Sequence, residues 1–207
     1  MDNIKNSIII PTYNNYIGLK KCLESIFKNT YLKSIEIIIV CNGASKQTKQ
    51  ILDEYKTDVI KTIWIDEPIG FSNAINKGIL NSSGENLILL NDDTILLDQE
   101  KNQWINILYQ TIKNKNKDIS APHLLFQENV NFAVFFCCMI PRNIFEKVGF
   151  LDSQFKYGGV EDIDWCYRAK KLGINIKQTP VMPIYHAGED TVKRLNNWGS
   201  KFKSNII

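Results

Sequence analysis

The first half of the chain alternates between short continuous apolar runs and apolar residues at helical spacing. Residues 7–14 (SIIIPTYN) and 35–44 (IEIIIVCNGA) are aliphatic runs that end in Pro, Asn or Gly, which is typical of buried strands in a parallel sheet. Between them, the segment YIGLKKCLESIFKN carries apolar residues on one helical face and lysines on the other. This pattern predicts a β-α-β unit.

The same alternation continues to residue 93. A predicted helix at 46–55 is followed by a strand at 62–65, a helix at 71–81, and the strand NLILL, which runs directly into Asp92 and Asp93. Strands that alternate with helices predict an α/β fold with a mostly parallel, doubly wound sheet and right-handed crossovers.

The second half of the chain has a different rhythm. The pattern predicts a helix at 99–114, strands at 119–126 and 133–140, and a helix at 141–148. This half is therefore expected to be mixed rather than parallel. Because no Pro- or Ser-rich linker divides the two halves, we expect a single domain over residues 1–207.

Composition supports one sizeable core and excludes several classes of protein. The chain has 207 residues, 44% of them hydrophobic, and a net charge of only +3. It has no strongly basic block, so no nucleic-acid partner is expected. No apolar window approaches the roughly 18–20 residues of a transmembrane segment, and the Met1 end has no hydrophobic leader. We expect a cytoplasmic protein.

Cysteine usage agrees with that expectation. The five cysteines form no CxxC pair, and an odd number fits reduced thiols better than a disulfide framework. Only His123 and His186 are available as imidazole ligands, which argues against a structural zinc site.

The acids after the fourth predicted strand have three interpretations. The sequence NDDT (Asn91–Thr94) fits a polar turn that caps the following segment. It also resembles the start of a DxDx[TV] phosphatase, but Asn91 stands where that chemistry needs a nucleophilic Asp. Third, a carboxylate pair at the carboxyl edge of a parallel sheet can hold Mg²⁺ or Mn²⁺ against a nucleotide diphosphate. The context favours the third interpretation.

A second acidic group begins a predicted helix in GGVEDIDWCYRAKKLG. Glu161, Asp162 and Asp164 lie at its N-terminus and Gly173 at its end, and interaction of the acids with the helix dipole explains them without any function. Gly158 and Gly159 leave the preceding backbone open, however, so Asp162 could also meet a substrate hydroxyl as a proton acceptor.

Two further polar segments have a structural interpretation when each is taken alone. PTYNN contains neither a GxGxxG fingerprint nor a phosphate-binding GxxxxGK[ST] loop, and by itself it indicates a turn with a helix cap at Asn14 or Asn15. His186 ends the short apolar stretch PVMPIYH, where a lone histidine is more often structural than a ligand. Glu189 and Asp190 look like solvated loop acids.

Taken in order, SIIIPTYN, IIIVCNGA, GFSNAINKGI, LNDDT, VGFLDSQF, GGVEDIDWCYRAKKLG and PIYHAG resemble an inverting glycosyltransferase of family 2 with the GT-A fold. The resemblance covers residues 7–188. The motifs are similar to those of rhamnosyl- and other hexosyltransferases of polysaccharide synthesis. It implies a nucleotide-sugar half at 1–98, an acceptor half at 99–190 and a tail at 191–207. It also implies a Mn²⁺ or Mg²⁺ cofactor, a UDP- or dTDP-sugar donor, and a glycan or lipid-linked saccharide acceptor.

The resemblance also implies roles for individual residues. Asp162 falls on the catalytic base, with Glu161 beside it for acceptor orientation. Asp93 falls on the metal ligand of the DxD motif, and His186 on a histidine that contacts the metal or the diphosphate. The residues implied in nucleotide-sugar binding are Pro11, Thr12, Tyr13, Asn42, Gly70, Asn73, Asn76, Asn91 and Asp92. Of these, Thr12 and Tyr13 would line the base pocket, and Asp92 would contact the ribose or a metal-bound water.

Two departures from the family pattern leave alternatives open. Cys41 stands where relatives carry an Asp that recognises the nucleobase of the donor. Asn42 would therefore have to supply the hydrogen bonds that this Asp makes in relatives. Many relatives also continue with further helices after the residue that matches His186, so a homo-oligomer or a partner could complete the acceptor site. One alternative is a catalytically inactive relative that binds sugar nucleotides or carbohydrates. A nucleotidyltransferase is disfavoured because PTYNNYIG is neither glycine-rich nor basic.

Overall fold

The computed structural model of the chain describes residues 5–43, 45–127, 130–155 and 159–188. The elements of its first half are β1 (Asn6–Thr12), α1 (Tyr16–Asn29), β2 (Ile35–Asn42), α2 (Lys46–Glu54), β3 (Ile60–Ile65), α3 (Phe71–Leu80) and β4 (Asn86–Leu90). The second half contains β5 (Thr94–Leu96), α4 (Gln103–Thr111), β6 (Asp118–Ala121), β7 (Leu124–Gln127), β8 (Val130–Ala133), β9 (Cys137–Pro141), α5 (Arg142–Val148), α6 (Glu161–Lys171), β10 (Asn175–Gln178) and β11 (Ile184–His186). Across these described ranges, we find no helix with the length and apolar character needed to cross a bilayer.

Seven strands form one sheet in the order β10-β6-β9-β4-β1-β2-β3. β9 runs antiparallel to both of its neighbours, β4 and β6, whereas the other neighbouring pairs in this sheet are parallel. The predicted mostly parallel sheet with a mixed second half is therefore confirmed. From β3 at one edge the chain returns to β4, on the other side of β1, which makes the β1–β4 boundary the point where the strand order reverses.

The two faces of the sheet are covered by different helices. Along β1, Ile9 packs with residues of α3, α5 and α6, whereas Ile8 and Ile10 pack with residues of α1, α2 and α4. Successive side chains of a strand thus point to opposite faces of the sheet. Because both faces are buried, the strands are continuous apolar runs. NLILL, now β4, is buried at every position.

Two strand predictions in the second half were wrong in their boundaries. The predicted strand 119–126 is two strands, because the chain leaves the main sheet at Pro122, a residue without an amide N–H to continue the ladder. The predicted strand 133–140 is also two strands, separated by residues 134–136. β7 and β8 form a separate antiparallel pair, and β5 pairs with β11 in another.

The strand order reverses between β1 and β4, and we call the carboxyl edge of these two strands the crevice. The β1–β2 ladder continues to Thr12 opposite Cys41, but the β1–β4 ladder stops at Ile9 opposite Leu89. Pro11 lies just beyond that point and cannot donate a backbone hydrogen bond. In open α/β sheets ligands bind at this edge, where the strand order reverses.

The cysteines are structural. All five are buried and form no disulfide. Burial raises the pKa of the Cys41, Cys137 and Cys166 thiols to about 12, so they stay protonated and unreactive at neutral pH.

Candidate functional site

The acids that follow β4 lie in a tight turn at the crevice. The carbonyl oxygen of Asn91 accepts a hydrogen bond from the Thr94 amide (3.1 Å), which closes a β-turn with Asp92 and Asp93 at its central positions. The two acids are only 6% and 8% exposed. NDDT is thus a polar turn, and the same turn holds two carboxylates at the edge where ligands bind.

His186 lies beside this turn although it is distant from it in sequence. β11 pairs antiparallel with β5 and sets His186 opposite Thr94, and the Ala187 amide donates to the Asp93 carbonyl (3.2 Å). His186 Nε2 lies 3.2 Å from Asp93 Oδ1. Its ring stacks on that of Phe136, with the centroids 4.3 Å apart. The pairing of two three-residue strands therefore joins an imidazole to a buried carboxylate.

The oxygen atoms of the turn suit a hard divalent cation. Asn91 Oδ1 and Asp93 Oδ1 are buried without a hydrogen-bond partner among the described residues. Within the same residues, no three His, Cys, Asp or Glu side chains are arranged to hold a metal unaided. A cation bound by one or two carboxylates, with phosphate and water completing its shell, is the usual arrangement at nucleotide sites. The residues present fit such a cation.

Thr12 and Tyr13 form the β1 side of the crevice. Thr12 is 3% exposed, and its Oγ1 has no hydrogen-bond partner in the described part of the chain. Tyr13 is partly buried beside the β2 exit, where a Cβ on Gly43 would lie 3.2 Å from the Tyr13 ring and 2.7 Å from Pro68. Gly43 has a φ of +83°, so this close approach requires glycine. Pro11 is buried in β1 just before this pair.

Three of the asparagines expected near the donor bind backbone groups of the protein. Asn42 Oδ1 accepts from the amide of Ile69 (2.8 Å), and its Nδ2 lies 3.4 Å from the carbonyl oxygen of Gly70, the residue before α3. Asn73 Nδ2 donates to the carbonyl of Ile69 (2.9 Å). Asn76 makes two hydrogen bonds to the backbone of Leu151, which follows α5. Its Nδ2 donates to the carbonyl oxygen (2.8 Å), and its Oδ1 accepts from the amide (3.0 Å). Asn42 and Asn73 thus hold the loop that enters α3, and Asn76 joins α3 to the segment after α5.

Cys41, the departure from the family pattern, contributes no charge to the crevice. Its side chain is fully buried in the apolar cluster that contains α1 and α2. The neighbouring Asn42 has its own amide committed to the α3 loop, as described above.

Asp162 and Glu161 begin α6, as predicted. Glu161 is 7% exposed and its Oε2 accepts from the Val160 amide (3.1 Å). Asp162 Oδ1 accepts from the Ile163 amide (2.8 Å). Burial, and secondly the charge of Glu161, raise the pKa of Asp162 from 3.8 to about 6. Gly158 lies outside the described residues, and a Cβ on Gly159 would meet no described atom within 4 Å.

Two consecutive residues connect Asp162 with the acidic turn. The backbone N–H of Phe135 faces the Asp162 carboxylate and partly offsets the rise in its pKa. The carbonyl of Phe136 accepts from the Asn91 amide (2.8 Å), and its ring stacks on His186. The sequence does not predict this connection, because FAVFFCCMIP is uniformly apolar and contains no signal that separates a loop from a strand.

Comparison with known proteins identifies the family of this chain. The sequence profile of "Glycosyl transferase family 2" matches residues 7–133. This chain belongs to glycosyl transferase family 2. The match runs from β1 to β8 and includes the acidic turn, whereas Asp162 and His186 lie beyond it.

Several glycosyltransferases are similar to this family 2 chain in sequence. Glycosyltransferase AglE of Haloferax volcanii is 28% identical over 196 residues, which cover 82% of this chain and 62% of AglE. The low-salt glycan biosynthesis hexosyltransferase Agl10 of the same organism is 26% identical, over 87% of this chain and 66% of Agl10. Glycosyltransferase GlyA of Streptococcus pneumoniae is 30% identical over 70% of this chain, but only 20% of GlyA is covered. The chain thus spans a fifth to two thirds of the length of these relatives.

Two solved structures share the fold. The mannosyltransferase PcManGT from Pyrobaculum calidifontis, in complex with GDP-Man and Mn²⁺, superposes with a TM-score of 0.72 at 14% identity, over 86% of this chain and 55% of PcManGT. GalNAc-T7 with UDP, GalNAc and Mn²⁺ gives a TM-score of 0.73 at 16% identity, over 89% of this chain and 44% of GalNAc-T7. The family 2 chain therefore has the GT-A fold.

Proposed function

We propose that this chain transfers a sugar from a UDP- or dTDP-sugar to an acceptor hydroxyl with inversion at the anomeric carbon, and that Asp162 is the general base. The observation that carries the proposal is that Phe136 contacts both Asn91 and His186, while the N–H of the adjacent Phe135 faces Asp162. These contacts support a proton acceptor and a diphosphate site at the same edge of the sheet. Such a pair is what displacement of a nucleoside diphosphate by an alcohol requires.

The donor's diphosphate would lie against the acidic turn. Asp93 and His186 would hold a Mn²⁺ or Mg²⁺ ion, which neutralises the negative charge that develops on the leaving diphosphate. The buried Asp93 Oδ1, with His186 as its close neighbour, supports this assignment. Asn91 and Asp92 would bind the ribose or water at the same edge.

The chemical step requires one proton acceptor from the protein. The acceptor hydroxyl oxygen attacks the anomeric carbon from the face opposite the diphosphate, a new C–O bond forms, and the bond to the diphosphate oxygen breaks. The hydroxyl proton passes to Asp162, whose pKa of about 6 leaves it mostly ionised at pH 7 but still basic. Glu161 would orient the acceptor, and its charge contributes to the raised pKa of Asp162.

The nucleoside would bind on the β1 and β2 side. Thr12 and Tyr13, after Pro11, would line the base pocket, and the buried Thr12 Oγ1 supports a hydrogen bond to the ligand. Gly70, Asn73 and Asn76 would flank the sugar nucleotide, with Asn42 supporting their loop. In this proposal residues 1–98 form the nucleotide-sugar half and 99–190 the acceptor half of one domain, and the tail 191–207 lies outside the described residues.

The acceptor and the cellular setting belong to the same proposal. The glycan biosynthesis role of Agl10 supports a glycan or lipid-linked saccharide acceptor. Five reduced cysteines support a cytoplasmic location, in which the protein could be peripheral to a membrane.

A thermal-shift screen tests donor binding first. The purified protein is melted with UDP, dTDP, GDP and CDP, each with and without Mn²⁺. A ligand at 100 times its Kd stabilises the native state by about 2.7 kcal/mol, which raises the Tm of a protein of this size by about 5–10 °C. We expect one of the uridine or thymidine nucleotides to give such a shift only with Mn²⁺, and its sugars to be transferred in a following assay.

The opposite outcome is equally informative. Absence of a shift with all four nucleotides would contradict the proposed donor site. A shift without transfer from any donor sugar would favour the catalytically inactive relative that binds sugar nucleotides or carbohydrates.

The pH dependence of transfer tests the base directly. Because Asp162 must be ionised to accept a proton and its pKa is about 6, kcat at saturating donor and Mn²⁺ is expected to rise with pH and reach a plateau above about pH 7. The residual rate of an Asp162→Asn variant should lack this step. A wild-type kcat that is constant from pH 5 to pH 7.5 would contradict the assignment.

A further inference from the structure

One face of α1 holds the segment that carries the acids. Cys22 Sγ lies 3.7 Å from the Asn91 carbonyl oxygen. Ser25 Oγ accepts from the Leu96 amide (3.1 Å), and Asn29 Nδ2 donates to the Leu96 carbonyl (3.2 Å). These contacts fix the backbone on both sides of the turn, so α1 is the element against which the acidic turn is built.

Asn15 extends these contacts to an acid itself. Its Nδ2 donates to Asp92 Oδ1 at 2.9 Å, across 77 positions of sequence, and both residues are only 6% exposed. The other end of the same amide, Oδ1, accepts from the Gly18 amide (3.2 Å) and caps α1. A single side chain therefore connects the helix N-terminus with a carboxylate of the turn.

We propose that Asn15 is a positioning residue that fixes the orientation of the Asp92 carboxylate before the donor and its cation bind. This inference rests on the proposed function. The physical reason is that a buried carboxylate with one oxygen held by an N–H cannot rotate freely, so less conformational entropy is lost when the site is occupied. Residues that orient the groups around a metal typically contribute about 10–100-fold to its affinity.

The dual contact makes the two roles of Asn15 separable. Serine is as good a helix cap as asparagine, but its short hydroxyl cannot cap α1 and reach Asp92 at the same time. Asn15→Ser should therefore keep the cap and lose the hydrogen bond to Asp92. If the serine variant does not fold, Asn15→Thr tests the same separation. Ser45→Ala is the matched control, because Ser45 caps α2 by accepting from the Thr48 amide (3.2 Å) and makes no such link.

The readout is Mn²⁺ affinity, followed by the loss of the free-Mn²⁺ EPR signal. It is measured with Mn²⁺ alone and with the nucleoside diphosphate that shifts the wild-type Tm most. We expect Asn15→Ser to bind Mn²⁺ about tenfold more weakly in the presence of the nucleotide, with a Tm close to that of the wild type. Ser45→Ala should lower the Tm and leave the Mn²⁺ affinity unchanged.

Two results would overturn the inference. One is an Asn15→Ser protein that binds Mn²⁺ and nucleotide as the wild type does. The other is an equal loss of affinity in Asn15→Ser and Ser45→Ala, since general destabilisation would then explain both. If the wild-type protein itself takes up no Mn²⁺ with any of the four nucleotides, it is the proposed function that fails, and the two failures are thus distinguished.

Discussion

Replacing Asp162 by asparagine is expected to lower kcat by about 10²–10⁴-fold, the usual effect of removing a general base. Asparagine has nearly the same shape as aspartate but accepts no proton, so the acceptor hydroxyl would attack without losing its proton to the protein. Because the base acts in the transition state, Mn²⁺-dependent nucleotide binding should change by no more than about twofold. Single-turnover transfer and the thermal shift, measured on the same preparation, report the two quantities separately.

The stability of this variant is expected to move in the opposite direction to its activity. The pKa of Asp162 is raised from 3.8 to about 6 in the folded protein, so the folded state holds this proton more tightly than the unfolded chain does. The free energy of unfolding therefore falls as the pH rises from about 4 to about 6. A shift of this size corresponds to roughly 3 kcal/mol at pH 7, and Asp162→Asn should recover part of it.

Asp164→Asn is the matched control for this experiment. Asp164 belongs to the same acidic helix start, but it pairs with Arg168 (2.9 Å) rather than with the Phe135 amide. Its loss should cost no more than about 1 kcal/mol of stability and leave kcat unchanged. Equal kcat values in the two variants, or near-normal turnover in a folded Asp162→Asn protein, would show that the acids only complement the helix dipole.

The order of elements in the first half could be predicted because each signal is local. β4, for example, is apolar at consecutive positions because both of its faces are buried, and α1 shows its single buried face as a 3.6-residue period. The second half was predicted less well for a physical reason. Phe135 and Phe136 face the two opposite apolar clusters although they lie in a loop, so their composition is that of a strand.

The site could be predicted only in part. The acids of the turn were recognisable because a doubled charge directly after a buried strand is locally unusual, and α6 was recognisable from its N-terminal acids and Gly173. The hydrogen bond from Asn15 to Asp92 and the contact between His186 and Asp93 depend on strand order and on the β5–β11 pairing. Contacts of that range leave no periodicity in the sequence, so a cap was foreseen at Asn14 or Asn15 but its second partner was not.

Asp93→Asn is expected to abolish the Mn²⁺-dependent thermal shift and to lower transfer by roughly 10³-fold or more. A cation contributes several kcal/mol by neutralising developing charge, and each 1.36 kcal/mol corresponds to tenfold in rate. Without metal, the Asp93→Asn protein should be about as stable as the wild type. The neutral amide avoids the cost of a buried charge, but it gives up the contact of Asp93 Oδ1 with His186 Nε2 (3.2 Å). Melting with and without Mn²⁺ and nucleotide measures both effects.

Asp98→Asn provides the comparison that assigns this effect to the site rather than to lost negative charge. Asp98 follows β5, its side chain is 84% exposed, and it pairs with Lys28 (2.6 Å) on the surface. Removing its charge should change neither Mn²⁺ binding nor transfer. If Asp93→Asn keeps its Mn²⁺-dependent shift, then Asp93 does not hold the cation and the buried oxygens of the turn serve the fold alone. If both variants weaken the shift equally, the cation is attracted by the general charge of this edge and not by a built site.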